Sequence, residues 1–440
     1  MTLFRPTSPR PVRPRFRRPA EGAPRIAAAV LAGLLLTSCG TPGAGPGAPP
    51  SALTGPPTSA PSSAGAPTQV GRVPTTPPPP PSSAVGSPSA TATTSPACSA
   101  VVARLSLREQ VGQLFMVGVP TSGLTSGTAR TLSQTRAGSV ILLGNTGAGS
   151  AAVARLVNDV RDAGRRPEGV RTLLAADQEG GLVQRLKGDG FADMPSARTQ
   201  GTWSAQRLRS SAEDWGRELR RAGIDADLAP VADVVPRRLL AVNQPIGVLR
   251  RGFSSDPAVV ASHSAAFVEG MDRAGVATAV KHFPGLGAVR GNTDLVTRVV
   301  DTSTGRHDAD LAGFRSAVRA GVDMVMVSSA YYSRIDPGSR AAYSPVVITG
   351  MIRGDLDFTG VVVSDDLAAP GVRDLRPGSR AIRFLAAGGD LVIVGDPGRL
   401  AAMSDAVRDK AAADAAFRTR VAESARRVLA MKAGRGLADC

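Results

Sequence analysis

Eight short aliphatic runs recur along the chain after residue 110, and amphipathic segments lie between or after them. The runs lie at 111–119, 139–143, 172–176, 226–234, 277–282, 324–329, 360–364 and 391–394. The clearest amphipathic segments lie at 204–222, 257–274, 308–320 and 399–431. Eight strand-then-helix units predict an α/β fold, a (β/α)8 TIM barrel. A doubly wound open sheet is the alternative, but no G-x-G-x-x-G follows the first strand, which disfavours a dinucleotide-binding version.

The beginning of the chain has a different pattern. An arginine-rich segment is followed at 26–36 by an apolar stretch of export-signal length, which is too short to span a bilayer. The letters LTSC at 36–39 resemble the bacterial lipobox, which implies cleavage before Cys39 and lipidation of its sulfur. An ordinary signal peptide with a chance cysteine is the alternative. We therefore expect a lipoprotein signal peptide at 1–38 and a protein anchored by Cys39 to the outer face of the cell membrane.

Residues 39–97 are built from Pro, Ser, Thr, Gly and Ala, with Arg72 as the one charge after Cys39. Such a composition cannot bury a core, so we expect a disordered linker. Residues 98–440 are then the folded catalytic domain. Cys98 and Cys440 lie at its two ends, and in an exported protein we expect them to form a disulfide. Two free thiols are the alternative.

The chain has a formal net charge of +16, which bears on the classes of molecule that it could bind. Arginine is spread along the folded part without a basic block or a basic run interleaved with aromatic residues, so we expect no nucleic-acid partner. An anionic surface such as a membrane or a cell-wall polymer accounts for the charge. The chain has 3 histidines and no G-x-x-x-x-G-K-[ST] loop, so we expect neither a metal site nor a cofactor.

Four of the predicted strands end in ionisable residues. They are Asp177 and Glu179 after the third run, Asp233 in the fourth, Lys281 and His282 in the fifth, and Asp365 and Asp366 after the seventh. In this fold the active site forms where the strands end, so these groups converge on one rim. The set suits sugar chemistry, which needs polar ligands and a carboxylate beside an oxocarbenium-like transition state. We expect Lys281 and Arg251 to keep the pKa of a carboxylate nucleophile low.

Three stretches, in this order, resemble glycoside hydrolase family 3. They are DQEGGLVQR at 177–185, KHFPGLG at 281–287 and SDDL at 364–367. The likeness covers 105–429 and is to the single-domain bacterial β-N-acetylglucosaminidases, with the lipidated form similar to actinobacterial lipoproteins. The resemblance implies a (β/α)8 barrel. It also implies a retaining exo-β-N-acetylhexosaminidase that removes terminal N-acetylglucosamine from peptidoglycan fragments outside the cytoplasmic membrane.

The same resemblance assigns roles to individual residues. It implies that Asp365 is the nucleophile and forms a covalent glycosyl-enzyme. The residues that it implies bind the terminal sugar are Asp177, Arg185, Lys281, His282 and Arg251, the last of which adjoins Arg250 in IGVLRRGF at 246–253.

One stretch departs from the family pattern. After the KHFPG motif the family usually carries Asp-x-His, whose histidine is the proposed general acid/base, and this chain has Asn292, Thr293 and Asp294 instead. Asp294 is then the best remaining catalytic acid, with no charged group adjacent to orient it. Phosphate in place of water, which would make the protein a phosphorylase, stays open. A sugar-binding lipoprotein is the non-enzymatic alternative, although Asp365 favours an enzyme because a lectin gains nothing from a nucleophile.

Overall fold

The computed structural model describes residues 96–165 and 167–440, which are arranged around a ring of eight parallel strands. In chain order they are β1 (Phe115–Pro120), β2 (Ser139–Leu143), β3 (Leu173–Ala176), β4 (Ala226–Asp227), β5 (Ala277–Phe283), β6 (Met324–Val327), β7 (Val361–Ser364) and β8 (Val392–Val394). Neighbours in sequence are neighbours in the sheet, β1 pairs with β8, and a bridge between Val363 and Leu391 closes the ring. The prediction of a (β/α)8 barrel is confirmed, and closure excludes the open sheet.

Helices cover the outside of this barrel. They are α1 (Pro96–Arg104), α2 (Leu107–Gln113), α3 (Ser126–Thr135), α4 (Gly149–Ala163), α5 (Ala197–Gln200), α6 (Ala205–Arg221), α7 (Pro257–Arg273), α8 (Ala312–Arg319), α9 (Pro377–Ala386), α10 (Leu400–Ala413) and α11 (Ala415–Gly434), with a π-helix at Val346–Asp355 after β6. Each packs by one apolar face, as when α6 buries Leu208, Trp215 and Leu219. Within the described residues, no helix is long and apolar enough to cross a membrane.

The predictions for the signal peptide at 1–38, for Cys39 and for nearly all of the linker at 39–97 lie outside the described residues.

Three predicted elements have different boundaries in the structure. The run at 111–119 is not one strand, because a capping box between Ser106 and Glu109 begins α2, which continues to Gln113. The run at 226–234 keeps strand pairing only at its start, and Pro230 within it has no N–H group for the strand ladder. The segment at 399–431 is two helices, because Asp414 caps α11 by accepting from the amide of Phe417.

The inside of the barrel is apolar and is closed at its N-terminal end. Met116, Ile141, Leu173, Met324 and Ile393 belong to one buried cluster that fills the ring. The same cluster includes three residues from α11 and the tail after it, namely Val428, Met431 and Leu437. A cavity can therefore form at the opposite end, where the strands terminate.

Three aspartates repeat at the N-terminal end of the barrel, two of them buried and Asp323 partly buried. Each precedes an even-numbered strand and accepts a hydrogen bond, at 2.9–3.0 Å, from an amide at the start of the neighbouring odd-numbered strand. They are Asp225, Asp323 and Asp390, and the amides belong to Leu174, Thr278 and Val362. Arginines neutralise each one, for instance Arg435 on Asp323. This repeat stabilises the end of the barrel that performs no chemistry.

The two ends of the described chain meet at this same end of the barrel. Cys98 on α1 and Cys440 after α11 form a disulfide, with their Cα atoms 4.7 Å apart. The predicted pairing is therefore present in the structure. Because α1 contacts α11, the bond joins two elements that already pack together.

Candidate active site

A cavity of about 270 Å³ opens at the C-terminal end of the barrel. Its lining comes from the strands β2 to β8 and the loops that follow them. Every predicted site residue of the barrel contributes to it, namely Asp177, Arg185, Arg251, Lys281, His282, Asp294 and Asp365. The convergence expected from the strand ends is therefore present.

The buried ammonium group of Lys281 organises one side of this cavity. Its Nζ lies 2.6 Å from Oδ1 of Asp177 and 2.6 Å from Oε1 of Glu179. Arg251 binds the same Glu179 carboxylate through two N–H groups, at 2.8 and 2.7 Å. Two cations and two carboxylates thus form one continuous network, in which the bidentate pair fixes the orientation of the arginine.

The pKa values follow from this network. Burial opposes ionisation of Glu179, but the charges of Arg251 and Lys281 hold its pKa well below its usual range. Burial likewise opposes the charge on Lys281, yet Asp177 and Glu179 raise its pKa. Glu179 and Lys281 therefore both stay charged at neutral pH and present fixed polar atoms to a ligand.

Adjacent residues on β5 both face the cavity, which a regular strand does not allow because successive side chains alternate between faces. The pairing of β5 with β6 changes register between Val280 and Phe283, and this irregularity brings both Lys281 and His282 to the cavity side.

The ring of His282 is held by a carboxylate beneath it. Nδ1 lies 2.7 Å from Oδ2 of the fully buried Asp233, whose Oδ1 accepts from the amides of His282 and Leu286. On the other side, Nε2 lies 3.4 Å from Nη2 of Arg251, which has only N–H groups to offer. We assign the proton to Nδ1 on these partners, so that Nε2 carries the lone pair.

Asp365 stands directly after β7, where its amide donates to the carbonyl of Val327 and its Oδ1 accepts from the amide of Asp366. Burial, together with the negative charge of Asp294, raises its pKa to about 6. The expectation that Lys281 and Arg251 keep this pKa low is wrong, because both cations are bound to the carboxylates of Asp177 and Glu179.

The neighbouring Asp366 has a different task. Its Oδ1 accepts from the amides of Ala368 and Gly395, each at 2.8 Å, so it joins the loop after β7 to the loop after β8. Asp365 is therefore the carboxylate of this pair that is free to face a ligand.

The loop after β5 brings Asp294 to the same cavity. Oδ1 of Asn292 accepts from the amide of Asp294 at 2.9 Å, so Asn292 shapes the turn rather than orienting the carboxylate. Thr293 between them is buried, whereas Asp294 is exposed. Asp294 and Asp365 thus line the same cavity, and the charge of Asp294 contributes to the raised pKa of Asp365.

The candidate sugar-binding arginines differ in whether they line the cavity. Arg251 lines the cavity, while the adjacent Arg250 is exposed and has a left-handed backbone, φ 56°. Arg185 also lines the cavity, and its Nη1 donates to Oδ1 of Asn145, 3.1 Å away. Arg251 and not Arg250 is thus the residue in position to bind a ligand.

Sequence reasoning missed the roles of several groups. Glu179 lies in the DQEGG stretch and Asp233 at the end of the fourth run. Both could be recognised in the sequence as acidic residues near strand ends, but the residues that they bind could not be identified. Asp227 lies inside β4, where nothing in the sequence marks it. Burial raises its pKa to about 8, and its Oδ2 has no hydrogen-bond partner.

Within residues 96–165 and 167–440, no group of three or more His, Cys, Asp and Glu side chains is arranged to hold a metal ion.

A closed (β/α)8 barrel with several carboxylates in a polar cavity at its C-terminal end is the arrangement expected of a glycoside hydrolase. Residues 106–431 match the glycosyl hydrolase family 3 N terminal domain, and the chain belongs to this family. The resemblance found in the sequence is thereby confirmed.

Proteins that are similar to this chain align with most of its length, and those with solved structures have the same fold. The crystal structure of a β-N-acetylhexosaminidase from Beutenbergia cavernae is 44% identical, covers 76% of this chain and 99% of its own, and superposes with a TM-score of 0.73. LpqI of M. tuberculosis is 28% identical over 76% of this chain and 96% of its own, with a TM-score of 0.66. A β-hexosaminidase of Stenotrophomonas maltophilia is 36% identical over 298 residues, which are 64% of this chain and 84% of that protein.

Proposed function

We propose that the protein is a retaining exo-β-N-acetylhexosaminidase that releases terminal β-linked N-acetylglucosamine through a covalent glycosyl-Asp365 intermediate. One observation carries the proposal: Asp365 shares a cavity of about 270 Å³ with Asp294 and with the fixed network around Lys281. The activity named for the Beutenbergia relative, at 44% identity over nearly its whole length, supports the choice of sugar.

The cavity suits the end of a glycan rather than its middle. It holds one sugar ring, whose hydroxyls would bind the carboxylate of Asp177, the ammonium of Lys281, the guanidinium of Arg251 and Nε2 of His282. Because these groups are fixed by their mutual hydrogen bonds, little freedom is lost when a sugar binds. The barrel closes beneath them with apolar side chains, so the glycan can continue only outward.

In the first step the Asp365 carboxylate attacks the anomeric carbon, and the bond from that carbon to the leaving oxygen breaks. Asp294, as the general acid, gives a proton to that oxygen. In the second step water attacks the anomeric carbon, passes a proton to the Asp294 carboxylate, and releases Asp365. The sugar leaves with its original configuration because the anomeric carbon is inverted twice.

Water is favoured over phosphate as the acceptor. Lys281 and Arg251 already bind the carboxylates of Asp177 and Glu179, and Asp294 lines the same cavity. In the glycosyl-enzyme Asp365 is an ester without charge, so a phosphate anion would be repelled by the negative charge of Asp294, whereas water would not. Release of sugar at an unchanged rate with and without added phosphate is the expected result, and formation of a sugar 1-phosphate would contradict it.

We also propose that the enzyme works outside the cell membrane on peptidoglycan fragments, anchored by lipid on Cys39. The lipobox-like LTSC at 36–39 and the Cys98–Cys440 disulfide both fit an exported protein. Outside the cell membrane, the abundant polymer that contains N-acetylglucosamine is the peptidoglycan of the cell wall. Mass spectrometry of the mature protein should find acyl chains on Cys39, and the Cys39→Ala protein should leave the membrane fraction.

The nucleophile is tested with Asp365→Asn and a matched neighbour, Asp366→Asn. Asp365→Asn should lose nearly all turnover of an aryl N-acetylglucosaminide while it keeps its melting temperature, because the side chain keeps its shape and loses its charge. Asp366→Asn keeps an oxygen for the amides of Ala368 and Gly395 and should retain far more activity. A fluoro-sugar should label Asp365, and a label on another residue would contradict the assignment.

The acid is tested with a series of leaving groups. Asp294→Asn should slow natural disaccharides by up to ~10²–10⁴-fold and barely change activated aryl glycosides, because only poor leaving groups need a proton. Equal losses across the series would mean that Asp294 is structural.

A further inference from the structure

Asn243 lies in the loop between β4 and α7 and does not contribute to the cavity lining. Its side chain has no exposure to solvent. A buried amide needs partners for two N–H groups and an oxygen, so the identity of those partners decides what the residue does.

The nitrogen of the Asn243 side chain faces the loop after β5. Nδ2 donates to the carbonyls of Leu286 and Val289, each at 2.7 Å, and lies 3.2 Å from the carbonyl of Gly287. A main-chain hydrogen bond also joins the two loops, because the amide of Gln244 donates to the carbonyl of Arg290. These carbonyls belong to the segment that leads directly to Asp294.

The oxygen of the same side chain faces its own loop. Oδ1 accepts from the amides of Ile246 and Gly247, at 3.0 and 2.7 Å. Arg251 depends on this turn, because its amide donates to the carbonyl of Ile246 and its Nη1 donates to the carbonyl of Pro245. One amide group therefore holds the segments that carry Arg251 and Asp294.

We infer that Asn243 is a positioning residue that fixes the loop of Asp294 relative to the sugar-binding Arg251. The kinetic part of this inference rests on the proposed role of Asp294 as the acid. A shift of about 1 Å in a catalytic group can cost ~10²-fold in rate, so one buried amide can govern proton transfer without touching the substrate.

Two substitutions separate the two halves of this contact. Asn243→Asp keeps the oxygen for Ile246 and Gly247 but turns a carboxylate oxygen toward three carbonyls, so it should release the Asp294 loop alone. Asn243→Ala removes both sets of bonds. Ser424→Ala is the matched control for lost stability, because Ser424 is fully buried and hydrogen-bonds Gly389 and Asp390 at the far end of the barrel.

Hydrogen exchange tests the link itself, independently of chemistry. Both Asn243 variants should speed exchange of the amides in 286–298, and only Asn243→Ala should also speed exchange in 246–251. The Ser424→Ala protein should exchange in both segments like the wild type. Unchanged exchange at 286–298 in both Asn243 variants would overturn the inference.

Kinetics test whether the link positions the acid. Asn243→Asp should lower kcat about 10–100-fold for poor leaving groups with little change in KM, and Asn243→Ala should raise KM as well. In an enzyme that already carries Asp294→Asn, the second substitution Asn243→Asp should lower kcat little further, because it acts through the same catalytic group. Full additivity would overturn the inference. If Asp294→Asn itself lacks leaving-group dependence, the proposed acid fails, while hydrogen exchange still decides whether Asn243 holds the loop.

Discussion

The ionisation of Asp365 is governed by its immediate surroundings. Burial raises its pKa to about 6, with a further contribution from the charge of Asp294. A carboxylate can attack only when it is ionised, so this pKa sets the lower limit of the pH range in which Asp365 could act as the proposed nucleophile.

This environment predicts the acid side of the pH profile. With an activated aryl glycoside, kcat/KM should fall as the pH drops through about 6, because Asp365 becomes protonated. In Asp294→Asn the neighbouring charge is gone, so the midpoint of this limb should move to lower pH. An unmoved midpoint in a full pH profile would show that Asp294 does not act on Asp365 electrostatically.

Burial has the same effect on Asp227, which does not line the cavity. Burial raises its pKa from 3.8 to about 8. Between these two pH values the folded protein keeps a proton that the unfolded chain has lost, so the contribution of Asp227 to stability is complete below about 3.8 and is lost as the pH rises toward about 8.

Asp227→Asn should therefore melt at a higher temperature than the wild type at pH 8, with the difference vanishing near pH 4. The amide keeps the oxygen that accepts from Gln178 and replaces an oxygen that has no partner. Asp225→Asn is the contrasting control, because it breaks ion pairs with Arg161 and Arg220 and should lower the melting temperature. Thermal unfolding across pH 4–8 measures both, and a destabilised Asp227→Asn at pH 8 would contradict the account.

At the scale of elements, the loop after β5 rests on the turn after β7. The turn at Pro370–Val372 approaches the loop so closely that a Cβ at Gly371 would lie 2.2 Å from the carbonyl oxygen of Thr293. Farther along, Arg340 donates to the carbonyl of Thr297 while it pairs with Asp374. The position of Asp294 thus depends on backbone contacts between two elements.

Gly371→Ala should displace the loop and slow natural disaccharides much more than aryl glycosides, as in Asp294→Asn but less severely. Gly434→Ala is the matched control, since a Cβ there meets nothing within 4 Å and kinetics should not change. Leaving-group series on both variants measure the effect. A Gly371→Ala enzyme with wild-type kcat on disaccharides would show that the loop tolerates the displacement.

At the scale of the whole molecule, the disulfide joins residues 342 positions apart and lies away from the cavity. In the chain-entropy model such a closure stabilises by about 3–5 kcal/mol, because the unfolded chain loses freedom. The double variant Cys98→Ser/Cys440→Ser should melt at a clearly lower temperature and keep its kcat at 25 °C. Calorimetry and aryl-glycoside assays test both statements, and an unchanged melting temperature would contradict the first.

The sequence by itself determined the barrel and the location of its site. Aliphatic runs alternating with amphipathic segments specify strands and helices locally, and parallel strands bring their ends together whatever the details. Asp177, Lys281 and Asp365 could be placed at this site because each follows or ends such a run within a recognisable motif.

Only the tertiary structure decided how these charges are shared. The pair of Arg251 with Glu179 spans 72 residues and the pair of Lys281 with Asp177 spans 104, so neither pair is encoded in a local pattern. Closure of the barrel brings them together, and burial then makes each pairing strong enough to fix a pKa. Glu179 thereby binds the cations that the sequence placed beside Asp365, so burial and the charge of Asp294 raise the pKa of Asp365, and His282 only partly offsets them.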